Sequence, residues 1–309
     1  NRGQHEIANM LGISRVSVSR LLNAGRKSGI VQIQIVSPNH LTYTRLEQEL
    51  EQLYGLKEAV VVENSPLTTR YDHISTLSTE ALGLMETYLH DDDVVGVSMG
   101  MTLHNICHGA RKNTNNVNCT FVPMMGGIST GHGQTVNIHS NQIAQNFAQL
   151  FGGRYVDFFA PAIFSDPIVL KGFIKEAPMQ HVLQYYKEIK TVIMGIGIPN
   201  RAGSTMIRAG YITREQMHGL VQQGAVGDIS LQFFDRNGAF EQFREFNSRV
   251  AGMPLAQLRE VENKIGVSSG VHKAEAIYGA LRGGFVNILI TDQECALKLL
   301  ELGKEGTAS

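Results

Sequence analysis

Apolar residues repeat with two periods along this chain, and the change of period divides it. Over residues 4–23, QHEIANMLGISRVSVSRLLN, they recur every three to four positions in two runs. Ile7, Ala8 and Leu11 form the first run, and Val18, Leu21 and Leu22 the second. Each run predicts the inward face of a short helix. Gly12-Ile13 makes the turn between them, where glycine tolerates positive φ, and Ser14 stands where it can cap the second helix. Residues 30–36, IVQIQIV, switch to alternation, which predicts a half-buried strand. Ser37-Pro38-Asn39 breaks the chain. Residues 42–54 then return to helical spacing, with Leu46, Leu50 and Leu53 on one face. That helix would serve equally as a connector or as a dimerisation surface.

From Ala59 onward short apolar strands dominate, at residues 59–62, 94–97, 120–124, 189–194, 226–233, 263–267 and 286–291. Helical patterns fill most intervals, at 69–90, 100–112, 141–151, 166–176, 179–188, 213–222, 272–281 and 292–302, and several strands end in glycine-rich loops. This alternation predicts an α/β fold with an open, mostly parallel sheet and helices on both faces. The expected organisation is a helix-turn-helix domain over residues 1–38, a linker helix over 39–56 and a ligand-binding and oligomerisation domain over 57–309.

The small Ala8, the Gly12 turn and the apolar positions around them match a DNA-binding helix-turn-helix, and the strand at 30–36 would be the wing of a winged version. Ser14 and Arg15 stand at the tip of the second helix, the part that enters a major groove. Ser14, Arg15, Val16, Ser19 and Arg20 are the expected DNA contacts. An ordinary helical hairpin with one arginine face is the alternative. Charge favours DNA. Residues 1–38 hold Arg2, Arg15, Arg20, Arg26 and Lys27 against Glu6, a net +4, which leaves −5 for the rest of a chain whose total is −1. A basic head on a mildly acidic body suits phosphate contact at one end.

With 43% apolar and 18% charged residues, the bulk of the chain is not disordered. Three widely spaced cysteines, Cys107, Cys119 and Cys295, predict a reduced compartment without a disulfide framework. No apolar run reaches membrane-spanning length and no signal peptide is visible, so a cytoplasmic location without a membrane partner is expected. The chain starts at Asn1, one helix short of a complete domain of the DNA-binding kind, and a preceding helix is expected. Without it, DNA binding would be weak.

Ligands of open α/β sheets bind outside the carboxyl ends of the strands, and four loops fall there. In 96–102, GVSMGMT, backbone amides with the Ser98 and Thr102 hydroxyls can cradle a phosphate at a helix N-terminus. No lysine stands where a nucleotide P-loop needs one. The loops 125–130, MGGIST, and 195–199, GIGIP, could be no more than tight turns. In 266–273, GVSSGVHK, Lys273 enters the first turn of a helix, an unfavourable place for a cation unless an anion binds there. Asp228 follows paired glycine-rich positions and could accept from sugar hydroxyls, or be a turn residue. His104, Cys107 and His108 share a helix, but no further ligand follows at metal spacing, so no metal site is expected. No catalytic set can be assigned, and no cofactor is expected.

Taken in order, the segments IANMLGISRVSVSRLLNAGRKSGIVQIQI, GVSMGMT, MMGGIST, GIGIP, GAVGDISLQFFDRNG and GVSSGVHKAEAIYGALRGGFVNILITDQECALKLL resemble the SorC/DeoR family of sugar-responsive bacterial transcriptional regulators over nearly the whole chain. The resemblance implies a winged helix-turn-helix followed by a Rossmann-like domain related to phosphosugar isomerases, a phosphorylated sugar effector, and dimers or tetramers on operator DNA. It further implies phosphate binding by Ser98, Gly100, Thr102 and Lys273, Gly126 and Gly127 at the border of the site with Gly195, and Asp228 reading hydroxyls. Some relatives form a Schiff base through a lysine before the paired glycines. Here that place is Met125, which implies noncovalent binding. The GAVGDI and KAEAI blocks are similar to the branch that represses uptake of phosphorylated autoinducer, which implies a pentulose-like phosphate.

Two other functions compete. A phosphosugar-processing, isomerase-like enzyme with a DNA-binding appendage would need a base and an acid near the sugar, and only Asp228 offers itself. A dinucleotide-binding protein would need a GxGxxG fingerprint that the first strand-to-helix turn lacks.

Overall fold

The computed structural model describes residues 4–27, 40–63, 70–109, 116–127, 138–199, 204–208 and 211–307. The chain divides into two compact units, residues 1–42 and 43–309.

In the first unit, helices Gln4–Leu11 and Arg15–Lys27 are joined by three residues. Gly12 turns the chain with φ 63°. The Ser17 amide donates to Ser14 Oγ at 3.1 Å, so Ser14 does cap the second helix. Ala8 and Val18 are buried, but Leu11 and Leu21, which the periodicity puts inward, are each 62% exposed. The line of contact between the two described helices is narrower than the apolar stripe on each. The expected wing at 30–36 lies outside the described residues.

Among the described residues the second unit has nine strands. These are β1 (Glu58–Val62), β2 (Val94–Val97), β3 (Thr120–Pro123), β4 (Arg154–Tyr155), β5 (Ile189–Gly195), β6 (Gly227–Ile229), β7 (Gln232–Phe234), β8 (Asn263–Val267) and β9 (Ile288–Asp292). Seven of them form one sheet in the order β1-β9-β8-β5-β2-β3-β4, every pair parallel. Strands buried on both faces need apolar residues at successive positions. Val95, Val97, Phe121, Ile193, Ile265 and Ile290 face helices Arg70–Tyr88, Met101–Gly109 and Ser140–Phe151. Val94, Val122, Val192, Met194 and Leu289 face the opposite layer, which includes helices Ala274–Arg282 and Gln293–Thr307.

Residues 43–54 of helix His40–Tyr54 pack against this sheet. Leu50 is fully buried. The amides on the outer edge of β1 are covered: Ala59 donates to Glu51 Oε1 and Val61 to Glu47 Oε1, both at 2.9 Å.

The largest departure from the periodicity is at residues 226–233. They form no sheet strand but most of an antiparallel hairpin, β6 with β7, with Ile229 opposite Gln232. Its two-residue turn, Ser230-Leu231, has φ 49° and 64°. Such turns usually announce themselves with asparagine and glycine, and this one does not. Leu231 and Phe233 sink into a third apolar cluster with Met125, Met217 and Leu220, beside the main core. That burial holds the turn in its unusual conformation.

Candidate functional site

The chain leaves β2 for β3 on one side of the sheet and later returns to β5 on the other. The order of strands therefore reverses between β2 and β5, the place where open α/β sheets bind ligands. A cavity of about 320 Å³ opens there. Ser98 to Thr102 after β2 and Gly195 to Ile198 after β5 line it, with Asp228, Ser230 and Leu231 from the hairpin and His272 and Lys273 after β8.

Six of the eight residues expected to bind effector, Ser98, Gly100, Thr102, Gly195, Asp228 and Lys273, thus converge. Gly126 and Gly127 are not among its lining residues. The Gly126 amide donates to Ala251 O at 2.8 Å, and a Cβ there would meet the Ala160 and Pro161 carbonyl oxygens at 2.5 and 2.7 Å. That glycine is needed for close backbone packing.

The donors differ from the simple cradle as well. The Ser98 amide donates to Ile193 O and the Gly100 amide to Ile138 O, each at 3.1 Å. Those two amides are spent inside the protein. Further donors lie in the first turn of helix Met101–Gly109, where the Met101 and Thr102 amides have no intrahelical acceptor. These amides and the helix dipole favour an anion.

Asp228 supplies the opposite chemistry. It is 6% exposed, and its Oδ1 has no hydrogen-bond partner among the described residues. Burial pushes its carboxyl up to about 6, while the Leu231 amide and the Lys273 ammonium act in the opposite sense. Two backbone hydrogen bonds between Gly197 and Asp228, 2.9 and 3.2 Å, fix the hairpin to the loop after β5. Lys273 ends the turn Val271–Lys273 that precedes helix Ala274–Arg282, and its Nζ donates to Ile196 O at 3.1 Å. Its charge stays at the cavity wall.

Ser230 and Leu231 fall inside an expected strand, and nothing in the residue pattern marks them as site residues. Gly197 and His272 belong to the glycine-rich loops 195–199 and 266–273. A larger groove of about 670 Å³ runs between Leu170, Tyr186, Phe240 and Leu255. Its Gln232 and Gln257 amides are bonded to Met253 O and Tyr186 O.

Of the residues expected at DNA, Ser14, Arg15, Val16 and Arg20 are exposed and Ser19 is half-buried. Met125 is fully buried and does not line the cavity. All three cysteines are free. Among the described residues no helix is long and apolar enough to cross a membrane, and no cluster could hold a metal ion.

Residues 39–301 match the family described as "Putative sugar-binding domain". The deoxyribonucleoside regulator of Bacillus subtilis is 34% identical over 300 residues, covering 96% of this chain and 92% of that protein. The transcriptional regulator LsrR of an Enterobacter species is 29% identical over 306 residues, 97% of this chain and 88% of that one. The crystal structure of the full-length sorbitol operon regulator SorC from Klebsiella pneumoniae superposes with a TM-score of 0.78 at 28% identity, over 97% of this chain and 94% of that chain.

Proposed function

The chain belongs to this sugar-binding-domain family of SorC/DeoR-type transcriptional regulators, and from that premise we propose that it represses or activates a sugar-utilisation operon under control of a phosphorylated sugar. Residues 1–38 bind operator DNA as a winged helix-turn-helix through Ser14, Arg15, Val16, Ser19 and Arg20. Residues 57–309 bind the effector without a covalent bond, and the helix at 39–56 links the two. The protein acts in the cytoplasm as a dimer or tetramer, since a two-fold operator requires paired half-sites.

The observation that carries the effector reading is the pairing of opposite chemistries in one cavity. The first turn of helix Met101–Gly109 and Lys273 favour an anion, while the buried, unpartnered Asp228 Oδ1 asks for a donor. A sugar phosphate has an anion and hydroxyls on one small frame. Ser98, Thr102 and Lys273 serve its phosphate end, and Asp228 accepts from a hydroxyl. Gly100 and Gly195 shape the walls.

Regulation is favoured over phosphosugar turnover. The relatives compared carry the names of regulators. The test is a labelled operator fragment titrated with protein and a panel of sugar phosphates. One of them should change DNA retention, and DNA should change its affinity by the same factor. Turnover of any of them by the purified protein would count for the enzyme.

A further inference from the structure

Ser98 and Ser230 lie 132 residues apart, yet their hydroxyls meet at 2.9 Å inside the cavity. Both are buried, 1% and 4% exposed. A serine hydroxyl carries one proton and accepts through two lone pairs. In such a pair only one proton can lie between the oxygens. The other has no acceptor among the described residues, whichever serine donates. The cavity wall beside them presents the Thr102 side chain and the first-turn amides of Met101 and Thr102. The pair therefore adds a buried donor to a wall already rich in donors.

The hairpin holds Ser230 there at a cost. Its φ of 49° is one that serine rarely adopts. Leu231 is buried in the third apolar cluster and anchors one side of the turn. The backbone pairing of Asp228 with Gly197 anchors the other. The hydroxyl is thus presented by a braced turn rather than by a mobile side chain.

We propose that Ser230 is a specificity-determining residue of the effector site. With Ser98 it forms one buried donor for an anionic oxygen of the ligand, and so makes the cavity select phosphorylated over unphosphorylated sugars. This rests on the cavity being the effector site. Asp228 accepts from a sugar hydroxyl, which both forms of the sugar carry, while the serine pair rewards the anionic oxygen that only the phosphorylated form carries. Hydrogen bonds to charged groups are stronger than neutral ones, so losing one falls mainly on the phosphorylated ligand.

The experiment is calorimetric titration of the full chain with ribose 5-phosphate, glucose 6-phosphate and sorbitol 6-phosphate, each beside its unphosphorylated sugar. Wild type is compared with Ser230→Ala and Ser230→Gly. Both variants should bind the preferred phosphorylated sugar about tenfold more weakly or worse, with affinity for its free sugar unchanged. Glycine accepts a φ of 49° freely, so Ser230→Gly should melt no lower than wild type, and its lost affinity then reports the hydroxyl and not the fold. A Ser230→Gly protein that keeps the wild-type preference for the phosphorylated sugar overturns the proposal and leaves the effector reading intact. If wild type binds none of the phosphorylated sugars, the effector reading fails and the role of Ser230 fails with it.

Discussion

The Asp228 carboxylate occupies the space that a side chain on residue 197 would need. A Cβ built on Gly197 would overlap Asp228 Oδ1 and lie 2.8 Å from its Cγ. Gly197→Ala should therefore displace the carboxylate from its place above the loop after β5. Overpacking of this kind costs roughly 1–3 kcal/mol, so the melting temperature should fall. Effector affinity should fall further than the affinity for inorganic phosphate, which has no use for Asp228. Equal losses for both ligands would mean that the whole cavity has collapsed.

Asp228 also predicts a pH dependence with an unusual sign. Its carboxyl is raised from 3.8 to about 6 in the folded chain. Between about pH 4 and 6 the folded state holds a proton that the unfolded state has released, so this group's contribution to stability falls as pH rises through that window and is level above it. For a displacement of that size the loss is about 3 kcal/mol at most. Asp228→Asn should remove the slope and melt higher than wild type at pH 7.5, while binding effector more weakly. Melting curves of both proteins from pH 4.5 to 8 check the sign. Equal slopes in the two would assign the titration to another group.

The edge of the sheet gives a third prediction. Glu47 and Glu51 accept the outward amides of β1, and an uncovered strand edge is a template for pairing with another chain. Replacing both by glutamine keeps an acceptor and should be mild. Replacing both by alanine should cost roughly 1–3 kcal/mol and increase aggregation on heating. Light scattering during a thermal ramp distinguishes the two variants. No difference between them would show that solvent satisfies those amides just as well.

The parts that could be read from the residues alone are those governed by periodicity. The strands at 59–62 and 94–97 stand out because every position is apolar or small. The cavity position follows from the order of strand and helix, and Lys273 stands out because a cation in a helix's first turn opposes the dipole. The Ser230-Leu231 turn was invisible because its conformation is imposed by tertiary burial of Leu231, not by a residue that prefers it. Gly126, expected at the border of the site, shows the converse limit. Glycine serves close packing as readily as phosphate binding, and only the Ala160 and Pro161 carbonyls beside it tell the two apart. Leu21 looked like core because a helical stripe does not say how many neighbours will cover it.

Arg15 and Arg20 are both exposed on the second helix of the N-terminal unit, and their two possible roles leave different signatures. An arginine bidentate to guanine contributes ~1–3 kcal/mol and fixes one base pair. An arginine on phosphate weakens binding evenly across sequences and lowers the salt slope by about one when removed. Arg15 stands at the first residue of its helix, the end that reaches base edges, whereas Arg20 lies more than a turn further along. Arg15→Ala should therefore relax one base position, tenfold or more at ~1.4 kcal/mol per decade, with a smaller change in salt dependence. Arg20→Ala should do the reverse. Binding to a randomised operator library at two salt concentrations measures both quantities at once. If Arg15→Ala left the selected sequences unchanged while the salt slope fell, both arginines would be phosphate contacts, and base reading would pass to Ser14, Val16 and Ser19.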